Sequence, residues 1–320
     1  MVFEIATPVC ALVRNDNEEK QQLSKLEFEK LLWLWWLTEA IACAIICLNL
    51  QKKKVFFMWS FSDLIQNFFT HKDFLPPAHQ LPGTLFTPLH FVFAVLCAVL
   101  VAFGSVALSR KEEHGRKSAY AVLWGTVTVL EAVKILWETC CGRAVDFNWV
   151  GILPLYPCSI FMYAMPFAVW GKGWVRTAAR GYVCTLGLLG GAINFVYPAN
   201  ILGSYSCISF AGMHTFLYHG VIVLCAVTML LSGDHSYGGI TKIRQLLLPS
   251  VPFLVVSIVA NTVNFSPIQA DYMFFKLESF IFAPIGAALP HIAAVLITYC
   301  AYLLIHALPY LPSYIKNRKA

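Results

Sequence analysis

The sequence predicts an all-α fold, a polytopic transmembrane helical bundle of about seven to eight spans, on three observations. Of its 320 residues, 58% are hydrophobic and only 12% charged, with a mean hydropathy of +0.67. A single soluble core of this length cannot bury such a composition. Apolar runs of about 18 to 25 residues recur along most of the chain, and roughly 20 residues rising 1.5 Å each cross about 30 Å of hydrocarbon. Short Lys/Arg clusters stand beside these runs, where positive charge orients membrane helices.

Residues 1–27 are polar and mixed in charge. They lack the early apolar core of a secretory leader and read as a cytoplasmic lead-in. The transmembrane domain then covers 28–311, with expected spans at 28–50, 84–109, 118–141, 149–171, 180–197, 208–233, 244–264 and 288–311. Residues 312–320 form a basic cytoplasmic tail. Within 28–83 the stretch from Val55 is aromatic yet holds Asp63, Gln66 and Asn67. It fits either an interfacial or re-entrant helix or a further crossing that flips the first span.

The net charge of +6 does not point to nucleic acid, because the basic residues sit beside apolar runs. The loop at 109–117, the loop holding Lys172, Arg176 and Arg180, the loop holding Lys242 and Arg244, and the tail alternate along the chain. Taken as cytoplasmic, they put both termini inside. Gln51–Lys54 is the exception, a lysine-rich stretch left on the outer side.

Eleven cysteines are scattered mostly as single thiols within apolar runs, where they act as small hydrophobes. Cys140 and Cys141 admit acylation or pairing with Cys207 on an oxidising side, but burial is the simpler reading. No CxxC, Cys/His ligand spacing, GxGxxG, P-loop or HExxH occurs, so the sequence predicts neither a metal nor a cofactor.

The informative residues are the polar groups at membrane depth, which need a partner, a watery cavity or a function. Counted from the outer ends of their spans, Cys158 lies about 13 Å deep, His219 about 16 Å and Glu131 about 15 Å. Lys134 follows at about 10 Å and His90 at about 9 Å. Asn194, Asn261, Asn264 and His291 fall near the outer ends. A cavity opening to the outer side or outer leaflet would contain them all.

Pro154 and Pro157 each remove a backbone donor, so the fourth span is expected to bend and to free polar backbone beside Cys158. Packing alone is the alternative. Glu131 and Lys134 share a helical face three residues apart, the spacing of an intramembrane ion pair. His214 and His219 lie about 140° apart around their helix and do not favour a shared metal. A lone buried histidine is more often a hydrogen-bonded core residue than a catalyst.

In order along the chain, "LEAVKILW" (130–137), "LPLYPC" (153–158), "GLLGGAINFVYP" (187–198) and "FLYHGVIVLCAVTML" (216–230) resemble the YwaF-type family of bacterial integral membrane proteins. That superfamily includes a mammalian transmembrane acyltransferase that moves polyunsaturated acyl chains onto ether lysophospholipids. Leu153, Pro154, Leu155 and Cys158 match the family's Leu-Pro-Leu-His-Leu-Cys run, and Phe216, His219 and Gly220 match its Phe-x-x-His-Gly run. Pro198 matches the proline of its ALLTPD-like stretch, and "DYMFF" (271–275) resembles its Asn-Tyr-Met-Phe-Leu run. The likeness spans about residues 84 to 311. Tyr156 stands where the family has histidine, Ala199 where an acidic residue is usual, and Asp271 in place of asparagine.

The resemblance implies lipid acyl transfer in a bacterial cytoplasmic membrane, with phospholipid or lysophospholipid as partner. Cys158 would be the thiol nucleophile and His219 its base, with Tyr156, Pro154, Pro157, Glu131, Lys134, His90, Asn194 and Asn261 lining the site. Two other readings stand beside it: a binding or transport path for a small solute or lipid, with Glu131 and Lys134 as gating charges, and a non-catalytic membrane partner protein. The sequence carries no mark of oligomeric state.

Overall fold

The computed structural model describes residues 66–75, 85–141, 152–266, 271–277 and 283–319, all within one compact unit, residues 59–320. Among the described residues there is no strand, and six helices are long and apolar enough to cross a membrane. They are α1 (Pro88–Ser109), α2 (Glu113–Cys141), α4 (Gly173–Leu202), α5 (Phe210–Leu231), α6 (Ile243–Asn264) and α7 (His291–Arg318). A seventh apolar helix, α3 (Pro157–Trp170), is shorter. Seven of the eight expected runs therefore coincide with helices, and the fold is an all-α polytopic bundle. The run at 28–50 and most of 55–83 lie outside the described residues.

α5 is the most buried of the six spans. α1, the second half of α4 and α2 all pack on it, while α3 packs on α2 and on the first half of α4. Its start is set by Ser209, whose hydroxyl accepts from the Gly212 amide at 3.1 Å. A Cβ on Gly212 would lie 2.2 Å from the Ser206 carbonyl oxygen, so only glycine fits the close first turn. α4 approaches α5 through Gly191, where a Cβ would meet Val223 Cγ2 at 2.7 Å and the His219 carbonyl oxygen at 3.2 Å. The outward faces are apolar: Val92, Leu96, Leu100 and Phe103 on α1, and Val122, Val129, Val133 and Leu136 on α2. Such faces suit contact with lipid tails.

The fourth run differs from the expected bent helix. Residues 152–156 are irregular, and α3 begins with a single 3₁₀ turn, Pro157–Ser159, that continues into helix Ile160–Trp170. Pro157 suits the first helical position because its missing N–H would have no partner there and its φ is already helical. About 14 residues reach roughly 21 Å, short of the hydrocarbon thickness. The irregular backbone must therefore be satisfied by protein. The Leu153 amide donates to Tyr272 Oη at 3.0 Å, the Ser159 amide donates to the Tyr156 carbonyl at 2.9 Å, and the Tyr182 hydroxyl donates to the Pro157 carbonyl.

Tyr272 is anchored in turn by the fully buried Asn264, whose Nδ2 donates to the Tyr272 carbonyl at 2.8 Å and whose Oδ1 accepts from its amide at 2.7 Å. This clamp, with Asp271 Oδ1 accepting from the Lys276 amide at 2.8 Å, holds a segment in which Met273, Phe274 and Leu277 have φ of 61°, 56° and 57°. Left-handed backbone costs a side-chain-bearing residue about 1–2 kcal/mol, so the buried hydrogen bonds are what keep the segment in place.

One end of the bundle is tied by Asp234, just beyond α5. Arg116 of α2 donates to both its carboxylate oxygens, Nε at 2.8 Å and Nη2 at 2.9 Å, and the Tyr120 hydroxyl donates at 3.2 Å. Arg180 of α4 lies 3.8 Å from the carboxylate, donates to the Asp234 carbonyl, and donates through Nε to the Ala168 carbonyl of α3 at 3.0 Å. Side chains of α2 and α4 thus meet at the carboxylate that follows α5, and Arg180 ties α3 to the same place.

Next to it, His235 shares a 2.7 Å hydrogen bond with the Tyr310 hydroxyl. Burial, aided by the Arg180 charge, lowers its pKa from 6.5 to about 4. Above pH 6.5 the ring is neutral folded or unfolded and has no linkage effect. As pH falls from about 6.5 toward 4, the unfolded chain takes up a proton that the folded chain refuses, so stability falls by up to about 3 kcal/mol. Melting temperatures across this window should fall less steeply for His235→Gln than for the wild type, and parallel curves would refute the assignment.

Candidate functional site

The site is built around Glu131 of α2, which is 4% exposed. Lys134, one turn along the same face, places Nζ 3.2 Å from Glu131 Oε1, and His214 of α5 places Nε2 3.3 Å from Oε2. The carboxylate therefore sits between an ammonium and an imidazole. The ion pair expected from sequence is present, with a second partner from a neighbouring helix.

One turn further along α5, the Tyr218 ring stacks on His214 with centroids 5.6 Å apart and meets His219 edge-on at 5.5 Å. His219 is buried, and its Nδ1 lies 2.7 Å from the Thr215 carbonyl oxygen. A carbonyl only accepts, so Nδ1 carries the proton and Nε2 of the neutral ring presents a lone pair. That Nε2 atom is buried with no hydrogen-bond partner, and so is the Tyr218 hydroxyl.

Cys158 lies on the 3₁₀ turn that starts α3, packed against the main hydrophobic core. Its own amide and the Ser159 hydroxyl act on its sulfur as donors, and Glu131 and Lys134 act on it as charges. The phenols of Tyr182, Tyr218, Tyr302 and Tyr156 all act electrostatically on it. His219 interacts with the same Glu131 and Lys134. The thiol and the imidazole thus share neighbours, Tyr218 included, without a hydrogen bond between them.

The other residues singled out by sequence divide in two. Tyr156 and Pro157 adjoin Cys158, with the Tyr156 ring packed against Tyr272 at 5.1 Å and Phe274 at 5.6 Å. Pro154 lies in the irregular stretch just before them. His90, Asn194 and Asn261 are engaged elsewhere. His90 is buried with Nε2 2.9 Å from the Phe195 carbonyl oxygen and Nδ1 accepting from the Phe86 amide at 3.1 Å, so both ring nitrogens are used. Asn194 donates to the Gly190 carbonyl of its own helix at 2.8 Å, and Asn261 donates to the Tyr299 hydroxyl at 3.0 Å.

Sequence reasoning missed Tyr218 and Ser159 and weighed His214 only as a metal partner. The available signal was the four-residue step from His214 to Tyr218, which puts two polar groups on one face of α5 at membrane depth. Two turns beyond Glu131 on α2, Glu138 has its own partner, with His71 Nε2 3.1 Å from Glu138 Oε2 beside the Trp137 ring. Cys140 and Cys207 are not joined to one another by a disulfide, and among the described residues no group of three His, Cys, Asp or Glu is arranged to hold a metal ion.

Segments distant in sequence converge here. "LPLYPC" is tied to "DYMFF" through Leu153 and Tyr272, and "GLLGGAINF" presses on "FLYHG" through Gly191 at the His219 turn. No curated protein and no solved structure matches the chain. The TMEM164 family model matches residues 75–314, from just before α1 to within the last turns of α7, and so takes in the whole cluster. With seven apolar helices and a membrane-protein family spanning most of its length, the chain is an integral, multi-pass membrane protein that belongs to the TMEM164 family.

Proposed function

We propose that this protein is a lipid acyltransferase that carries the acyl group as a thioester on Cys158, with His219 as general base. The observation that carries the reading is the state of His219: its Nδ1 proton is held by the Thr215 carbonyl, which leaves a buried, unpartnered Nε2 lone pair beside Tyr218. The resemblance of the Cys158 and His219 segments to those of YwaF-type proteins and their acyltransferase relative supports the same reading.

His219 Nε2 takes the Cys158 thiol proton as the sulfur bonds to a phospholipid ester carbonyl carbon. The carbon–oxygen ester bond then breaks, and the departing lysolipid oxygen receives the proton from His219. In the second half, the hydroxyl of a lysophospholipid acceptor gives its proton to Nε2 and attacks the thioester carbon. The carbon–sulfur bond breaks, and the thiol regains its proton. The partners are membrane phospholipids and lysophospholipids, the basic loops favour cytoplasmic termini, and the resemblance to YwaF-type proteins favours a bacterial membrane.

The test is direct trapping. Full-length protein in phosphatidylcholine nanodiscs, quenched with acid during turnover, should yield a hydroxylamine-sensitive acyl adduct on the peptide bearing Cys158, and the Cys158→Ser protein should yield no such thioester. Absence of the adduct in an actively transferring wild type would refute the covalent route. Solute uptake that survives Cys158→Ala but fails in Glu131→Gln would favour transport instead.

A further inference from the structure

We propose that the Tyr218 hydroxyl is the oxyanion donor of this site, taking the carbonyl oxygen of the lipid ester and then of the thioester. The inference rests on the reading of Cys158 as the acyl carrier, and it begins from an anomaly. Tyr218 is 2% exposed and its hydroxyl makes no hydrogen bond of good geometry, with only the Ser159 hydroxyl acting on it as a donor. A buried hydroxyl left unpaired costs about 1–3 kcal/mol, and this ring cannot swing away to find an acceptor. It is stacked on His214 on one side and met edge-on by His219 on the other.

Cys158, Glu131 and Tyr182 act electrostatically on that hydroxyl, and the Ser159 hydroxyl lies near it, at the first turn of α3. Three other donors around this turn are already committed. The Ser159 amide donates to the Tyr156 carbonyl, the Tyr182 hydroxyl to the Pro157 carbonyl, and the Tyr302 hydroxyl to the Met273 carbonyl at 3.0 Å. The start of α3 contributes positive potential, since its first peptide dipoles point there. Tyr218 brings to the turn a buried O–H that no strong acceptor holds.

In the reaction, the sulfur–carbon bond forms as the carbonyl π pair moves to oxygen. Tyr218 donates a hydrogen bond to that oxygen and keeps its proton. When the tetrahedral intermediate collapses, the pair returns to the carbonyl and the leaving oxygen takes the proton held at His219 Nε2.

The test uses full-length protein in phosphatidylcholine nanodiscs with lysophosphatidylcholine as acceptor, comparing wild type, Tyr218→Phe and Cys158→Ser. For Tyr218→Phe, kcat should fall about 100-fold, as when one oxyanion donor is removed, with little change in KM. Melting temperature should hold or rise, because the lost hydroxyl makes no hydrogen bond of good geometry. Alkylation of Cys158 by iodoacetamide, which displaces iodide and builds no oxyanion, should proceed at the wild-type rate. Transfer by Tyr218→Phe close to wild type, with transfer abolished in Cys158→Ser, would overturn the proposal and leave the thioester reading standing. Slower transfer together with a lower melting temperature and altered alkylation would make Tyr218 structural and overturn it too. A wild type with neither transfer nor adduct would remove both.

Discussion

With His219 replaced by asparagine, the reconstituted protein should transfer acyl groups about 10²–10⁴-fold more slowly, the usual contribution of a positioned general base. Asparagine isolates the chemistry. Its side-chain amide can donate to the Thr215 carbonyl that Nδ1 now reaches at 2.7 Å, so the local structure of α5 survives while the Nε2 lone pair is lost. On the proposed route the thiol then has no base to take its proton, and the departing lysolipid oxygen has no acid to return it. Because Nε2 has no partner in the folded protein, its removal breaks no bond, and the melting temperature should stay near that of the wild type. Initial rates of labelled acyl transfer from phosphatidylcholine to a lysophospholipid measure the effect. A His219→Asn protein working at the wild-type rate would make His219 a spectator and leave the thiol without a base.

The positions of the helices along the chain were legible in the sequence, and rotation about the helix axes was not. Apolar run lengths located seven helices that the structure describes, because 1.5 Å per residue against a fixed hydrocarbon thickness leaves little choice. Counting from span ends put Cys158, His219 and Glu131 near one level, and the structure gives them common neighbours. The same counting grouped His90 with them, yet His90 faces the Phe195 carbonyl and the Phe86 amide. Which way a side chain points depends on helix packing, and α4 changes its own rotation along its length. Val183–Gly187 is a π-helical turn, which puts the residues before and after it out of the ordinary 3.6-residue register. No residue pattern in "VCTLG" announces that turn.

The prolines were legible as a disturbance but not as a helix start. Pro154 and Pro157 signalled missing donors, and both a bend and a late start satisfy that signal. The deciding partners are far away in sequence: Tyr272 for the Leu153 amide, Tyr182 for the Pro157 carbonyl, and Asn264 behind Tyr272. Tyr218 was missed for a related reason. A tyrosine in an apolar run reads as core until its hydroxyl is found without an acceptor.

Asp234→Ala should lower stability by about 3–5 kcal/mol, the range for removing one member of a buried ion cluster. The Arg116 and Arg180 side chains are 13% and 11% exposed, and the Asp234 side chain 9%. Loss of the carboxylate leaves two guanidinium groups near the helix ends facing each other with little water. Burial pushes the Asp234 carboxyl up, but hydrogen bonds from Arg116 and Ser232 and the Arg180 charge hold it below the ordinary 3.8. Its contribution is therefore complete above about pH 4 and is lost only as pH falls through the folded value, so the measurement belongs at pH 7, where the His235 effect is also silent. Cys184 and Cys225 are 1% and 0% exposed, and their reaction with a thiol-specific fluorophore on heating reports unfolding of the bundle. Arg116→Ala should cost less than Asp234→Ala, because Arg180 still neutralises the carboxylate that remains. The clamp also reaches α3 through Arg180 and Ala168, so loosening it should slow acyl transfer at Cys158 at the opposite end of that helix. Equal melting curves for wild type and Asp234→Ala would mean that water, not the carboxylate, balances these arginines.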